Sequence, residues 1–132
     1  MDFQDVFPSL KHVFDSSSLI NIERNRKMSV LRRRRHEVLI PGKVEGEVNQ
    51  PNTPLNRFIT RFYQQVVAPF RNNEEEEYLR LRRQRGIHDA DAAAIAMAKR
   101  RQLTLVIDDK KAKEKAKNHG VETLTWQDFV KS

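Results

Sequence analysis

The segment Leu103-Thr104-Leu105-Val106-Ile107 runs directly into Asp108-Asp109. A nearly continuous apolar run of this kind marks a strand buried on both faces, and such strands belong to parallel sheets covered by helices. The acids at its end cannot follow it into the core. They fall at the rim of the sheet, where they can cap the short basic helix that follows and stops near Gly120. The other end of the chain repeats the pattern. His12-Val13-Phe14 reads as the end of a strand that delivers Asp15, and Ser16, Ser17 and Ser18 can cap a helix carrying Leu19 and Ile22.

The intervening chain alternates in the same way. Val38-Leu39-Ile40 reads as a short strand stopped by Pro41, which suits the first turn of the next helix. Val44 and Val48 share a face of that helix. Asn49 to Pro54 is a loop by composition. Leu55, Phe58, Ile59, Phe62 and Val66 recur at helical spacing over 55–67, and Pro69 interrupts. A second helix is expected from about Asn73 to Arg85, with glutamates at its start and arginines toward its end, the order that complements the helix dipole. Within it Glu76 is placed to pair with Arg80, and Gly86 is a suitable stop. Ala90 to Lys99 is a helix of small residues, able to approach a sheet closely. Val121-Glu122-Thr123-Leu124 is a last strand, and Thr125-Trp126-Gln127-Asp128 reads as a capping box. Residues 24–36 fit either a helix or a mobile loop, and 1–10 a short extension. The expectation is one α/β domain with a mostly parallel sheet and helices on both faces.

Bulk properties narrow the function. A net charge of +7 favours a polyanionic partner. The absence of cysteine excludes disulfides, thiolate metal sites and cysteine nucleophiles, and suits a reducing compartment. No apolar run approaches the roughly 20 residues of a membrane span. The acidic start MDFQDVFPSL lacks the apolar core of a secretory signal. A soluble, cytoplasmic protein with no membrane partner is expected.

The acids are the candidates for chemistry. In an open parallel sheet, functional groups gather beyond the carboxyl ends of the strands. Asp15 and Asp108-Asp109 end strands there. Glu47 lies just past the strand at 38–40, with Glu45 as its rival, and Asp89 and Asp91 open the alanine helix. Carboxylates so gathered repel one another unless a cation sits among them. An all-oxygen set suits Mg²⁺ or Mn²⁺, which can polarise a phosphodiester and orient a water. Taken singly, each acid is equally an ordinary cap or a solvated helix residue; the set carries the reading. His12, His36, His88 and His119 show no metal-ligand spacing, and His88 reads as a loop residue. The run Arg32-Arg33-Arg34-Arg35 can contact RNA phosphates or an acidic partner, or form a solvated face. Lys110, Lys111 and Lys113 adjoin the acids and are better phosphate candidates by position.

In this order the motifs resemble the PIN-domain nuclease family. The carrying segments are Phe14-Asp15-Ser16-Ser17-Ser18-Leu19-Ile20, Pro41-Gly42-Lys43-Val44-Glu45-Gly46-Glu47-Val48, Asp89-Ala90-Asp91 through Ala98, and Leu105-Val106-Ile107-Asp108-Asp109. The resemblance implies a three-layer α/β/α fold with a five-stranded parallel sheet. It also implies a Mg²⁺- or Mn²⁺-dependent endoribonuclease whose acidic quartet is Asp15, Glu47, Asp91 and Asp109. Asp108 competes with Asp109, and Asp89 with Asp91. Asp15, Asp91 and Asp109 would hold the metal directly or through water, and Glu47 would ligate it or position the attacking water. Small stand-alone members are commonly toxins of type II toxin–antitoxin pairs, which form homodimers silenced by a small antitoxin. Many of these carry a threonine where this chain has Ile107. Other members are nucleases of RNA processing or modules that bind RNA or protein without cutting. An aspartate-nucleophile phosphatase is disfavoured because Ser17 stands where its second aspartate belongs. With only four glycines and no G-x-G-x-x-G, a dinucleotide-binding domain is disfavoured too.

Overall fold

The computed structural model describes residues 10–132, so the expected extension lies, except for Leu10, outside the described residues. The chain folds into a five-stranded, all-parallel sheet flanked by helices. The strands are β1 (His12–Phe14), β2 (Val38–Pro41), β3 (Val67–Ala68), β4 (Thr104–Val106) and β5 (Thr123–Leu124). The helices are α1 (Ser16–Arg24), α2 (Met28–Arg33), α3 (Gly42–Val48), α4 (Pro54–Val66), α5 (Asn72–Arg82), α6 (Asp89–Arg101), α7 (Lys110–Asn118) and α8 (Trp126–Lys131).

The strand order is β3-β2-β1-β4-β5. From β1 the chain winds outward to β2 and β3, then crosses back to β4 and on to β5. With right-handed crossovers, this reversal puts the connecting helices on opposite faces. It also places the topological switch point between β1 and β4, where a crevice opens beyond the carboxyl ends of the strands. The register pairs His12 with Thr104 and Phe14 with Val106, and the Asp15 amide continues the ladder by donating to Val106 O at 3.1 Å. The two acid-bearing strand ends are thus neighbours on one rim.

Helix α6 is apolar around most of its circumference. Ala90, Ala92, Ala93, Ala94, Ile95, Ala96, Met97 and Ala98 are all buried. A helix buried on so many sides must be enclosed, and its alanines let it pack across β1, β2 and β4 while α5 covers its outer side. On the opposite end of the core, Phe129 of α8 meets Phe14 edge-on with ring centroids 4.9 Å apart.

Several local expectations are corrected. Residues 24–36 resolve into α2 and a turn of 3-10 helix at Arg35–Glu37, because Met28, Val30 and Leu31 are buried and pull the segment onto the core. Pro41 does not enter the first turn of α3; it is the last residue of β2, paired with Ala68, and stands as the N-cap. β3 arises where α4 runs out, too short for any alternation to show in sequence. Helix α5 ends at Arg82, ahead of Gly86, whose φ of +82° places it in the loop beyond. Glu76 forms no ion pair among the described residues. Its neighbours Glu74 and Glu77 are buried instead and reach α6, Glu74 to Arg101 at 2.8 Å and Glu77 to Lys99 and Arg100 at 3.0 and 2.9 Å.

Candidate metal centre at the carboxyl edge of the sheet

Asp15 leaves β1 in extended conformation and caps α1. Its Oδ1 accepts from the Ser18 amide at 2.9 Å and its Oδ2 from Ser17 Oγ at 2.7 Å. The carboxyl is buried, and burial raises its pKa, while the Ser18 and Ser17 hydrogen bonds oppose the rise and the Asp108 charge adds to it. Asp109 caps α7 in the same manner, its Oδ1 accepting from the Ala112 amide at 2.9 Å. Each strand end therefore holds its acid by a helix N-terminus, which fixes the carboxyl at the rim.

The two aspartates after β4 separate by role. Asp108 turns away from the pocket, where its Oδ2 accepts from Asn21 Nδ2 at 2.6 Å and its Oδ1 from the Trp126 amide at 3.3 Å. It ties α1 to the start of α8. Asp109 faces a cleft of about 450 Å³ together with Ser16, Ser17, Glu47, His88, Asp89, Ala90 and Asp91. A similar division separates Asp89 from Asp91. Asp89 accepts from Tyr78 OH and lies 3.3 Å from Arg82 Nε, so its charge is already matched. Asp91 has no such partner and is half-buried. Its pKa is raised to about 6, first by burial and then by the charges of Asp15, Asp109 and Glu47, with His88 opposing. On α3, Glu45 accepts from Asn49 Nδ2 at 2.8 Å, whereas Glu47 is exposed and lines the cleft.

Asp15, Glu47 and Asp109 are thus brought within electrostatic reach of Asp91, whereas Asp108, Asp89 and Glu45 each have a hydrogen-bond partner of their own, Asp89 while still lining the cleft. Among the described residues, no three His, Asp or Glu side chains close tightly enough to ligate a single ion directly. The donor set nevertheless fits a hard divalent cation. All donors are carboxylate oxygens, their mutual repulsion is expressed in Asp91, and a hydrated ion such as Mg²⁺ keeps several waters and needs only one or two direct carboxylates.

His88 stands in the loop where expected, as the N-cap residue of α6, and also lines the cleft. Sequence reasoning missed Asn21, the anchor of Asp108, which lies 87 residues away in sequence and leaves no local signal. The arginine run is also divided. Arg34 lies 4.0 Å over the Phe129 ring and pairs with Glu37 at 2.8 Å, and Arg35 lies 4.9 Å over Phe62; Arg32 and Arg33 remain exposed.

The PIN domain family model matches residues 11–125, so the chain belongs to the PIN domain family, whose members are nucleases in general. Among solved structures, the chain is similar to PAE2754 from Pyrobaculum aerophilum, with a TM-score of 0.57 and 17% identity over 86% of this chain and 90% of that one. At that identity the likeness speaks for the fold. No curated protein matches.

Proposed function

We propose that this protein is a divalent-metal-dependent endoribonuclease. The observation that carries the reading is that Glu47, Asp91 and Asp109 line one cleft with Asp15 close enough to act on Asp91, whose carboxyl is pushed up to about 6 by burial first and then by these charges. Asp91 and Asp109, with Asp15 behind them, would hold Mg²⁺ or Mn²⁺, directly or through water. The cation when bound supplies Lewis-acid polarisation of the phosphodiester and a more acidic water. It also neutralises the cluster, so that an anionic backbone can approach.

The protein's own groups do the remaining work. Asp15 and Asp109 are held by helix N-termini and need no reorganisation when charge develops in the cleft. Glu47, exposed at the end of α3, is free to orient a water or accept its proton. Ser16, beside Asp15, has a buried hydroxyl with no partner among the described residues and lines the same cleft, where it can donate to a substrate oxygen.

The biological role that fits best is that of a toxin ribonuclease, a cytoplasmic homodimer silenced by a small antitoxin. The support is the four-motif resemblance to the PIN-domain family, whose small stand-alone members are commonly toxins, although Ile107 stands where many of these carry threonine. No helix among the described residues is long and apolar enough to cross a membrane. A second reading, a PIN scaffold that binds RNA without cutting, draws on the open spacing of the acids. Cleavage of structured RNA discriminates between the two. Product that appears with Mn²⁺ or Mg²⁺ and vanishes with chelator supports the nuclease; binding without product supports the scaffold.

A further inference from the structure

A groove of about 360 Å³ opens beside the acidic cleft, lined by Arg85, Gly86, Lys111, Glu114, Lys115 and Asn118. One wall is the turn between α5 and α6. The other is a single face of α7, because residues spaced three, four and seven apart stack on one side of a helix. Three cations face one carboxylate. Among the described residues none of Arg85, Lys111 and Lys115 forms an ion pair. Gly86 contributes bare backbone to the wall, with nothing within 4 Å of where a Cβ would stand.

Both walls lead into the cleft described above. Past Arg85-Gly86 the chain runs on to His88, Asp89 and Asp91, and ahead of Lys111 stands Asp109. A strand leaving the acidic cleft between these two segments would enter the cationic groove. We propose that the groove binds the phosphodiester backbone of the RNA strand on one side of the cleaved bond, with Arg85, Lys111 and Lys115 as the phosphate contacts. The inference rests on the nuclease reading and adds the direction in which the substrate lies. An acidic peptide suits the groove alone, but its next residues would meet carboxylates. A phosphodiester strand is continuous with the substrate proposed for the cleft, so one ligand would occupy both. Of the lysines near the acids, this selects Lys111 and adds Lys115, while Lys110 and Lys113 stand outside the groove lining.

The test compares wild-type protein with Lys111→Gln/Lys115→Gln and with Arg57→Gln/Arg61→Gln, an equal loss of charge on α4. Binding of a fluorescent single-stranded RNA is followed by anisotropy in chelator, where nothing is cut, over a range of salt. The groove variant is expected to lose at least tenfold in affinity, and its slope of log K against log salt should shrink by about 1.4, two contacts at about 0.7 each. The α4 variant should lose less on both measures. Equal losses in the two variants, or wild-type values in the groove variant, overturn the proposal. So does displacement of the RNA by polyglutamate that depends on Lys111 and Lys115, which makes the groove an acidic-peptide site. The Mn²⁺-induced rise in melting temperature should persist in the groove variant, showing an intact fold and cleft. If wild-type protein cuts no RNA with any divalent metal, the nuclease reading fails on its own, while the salt slopes still report on the groove.

Discussion

Asp15, buried at the end of β1, and Asp91, in the first turn of α6, lie close enough that the Asp15 charge is, after burial, the largest influence lifting the Asp91 carboxyl to about 6. A carboxyl with a raised folded pKa favours the folded state when protonated. That contribution is fully present below the ordinary value of 3.8 and is lost as pH rises through about 6. The metal-free protein should therefore lose stability across this window, and Asp91→Asn should remove the loss. Each tenfold change in proton affinity is worth about 1.4 kcal/mol, and discounting for solvent screening of a half-buried group leaves about 1–2 kcal/mol gained by the variant at neutral pH. Urea unfolding of both proteins at pH 4 and pH 8, in chelator, reads the effect. A variant no more stable than wild type at pH 8 contradicts it.

Asp108 and Asp109 are adjacent in sequence but differ in task, so their substitutions should separate. Asp109→Asn keeps a good N-cap and should leave stability within about 0.5 kcal/mol. It should nevertheless lower Mn²⁺ affinity at least tenfold. Asp108→Ala leaves Asn21 Nδ2 and the Trp126 amide without their acceptor and should cost about 1–3 kcal/mol. Calorimetric titration with Mn²⁺ alongside chemical denaturation should show the two effects in different variants.

A parallel contrast applies at the start of α6. Asp89 is engaged by Tyr78 and Arg82, and Asp91 is not. Asp89→Asn should slow RNA cleavage by less than tenfold, whereas Asp91→Asn should reduce it to background. Single-turnover rates at saturating Mn²⁺ measure both, and equal losses would make Asp89 a member of the metal set.

The pair of buried Glu74 with part-buried Arg101 is a stability device remote from the cleft, since Arg101 ends the helix whose first turn holds Asp91, ~15 Å further along its axis. Glu74→Gln replaces the carboxylate that faces the part-buried Arg101 guanidinium with a neutral amide and should cost about 1–3 kcal/mol. Replacing both partners, as Glu74→Leu with Arg101→Met, should recover most of that. Cleavage per folded molecule should be unchanged in both variants.

How much of this was legible in the sequence follows from the range of the forces involved. β1 could be read residue for residue because Val13 and Phe14 are buried and Asp15 ends the strand in both sequence and space. The enclosed character of α6 was visible in its alanines. By contrast, β3 has two residues and no periodicity. The inward turn of Glu74 and Glu77 was hidden because their partners lie on another helix, and the local spacing of Glu76 and Arg80 suggested a surface pair instead. Within the site, the residues alone gave the set of acids, and the family resemblance implied the quartet. The engagements that set Asp108, Asp89 and Glu45 apart come from Asn21, Trp126, Tyr78, Arg82 and Asn49, most of them contacts between elements.

The most direct test of the acidic cleft as a metal-dependent catalytic centre is single-turnover cleavage of one RNA by wild type, Asp15→Asn and Asp91→Asn across a Mn²⁺ titration, with circular dichroism to verify the fold. The expected result is metal-dependent product from wild type that chelator abolishes, and background product from both folded variants at every Mn²⁺ concentration. Full cleavage by both variants, or wild-type cleavage that persists in chelator, would contradict it.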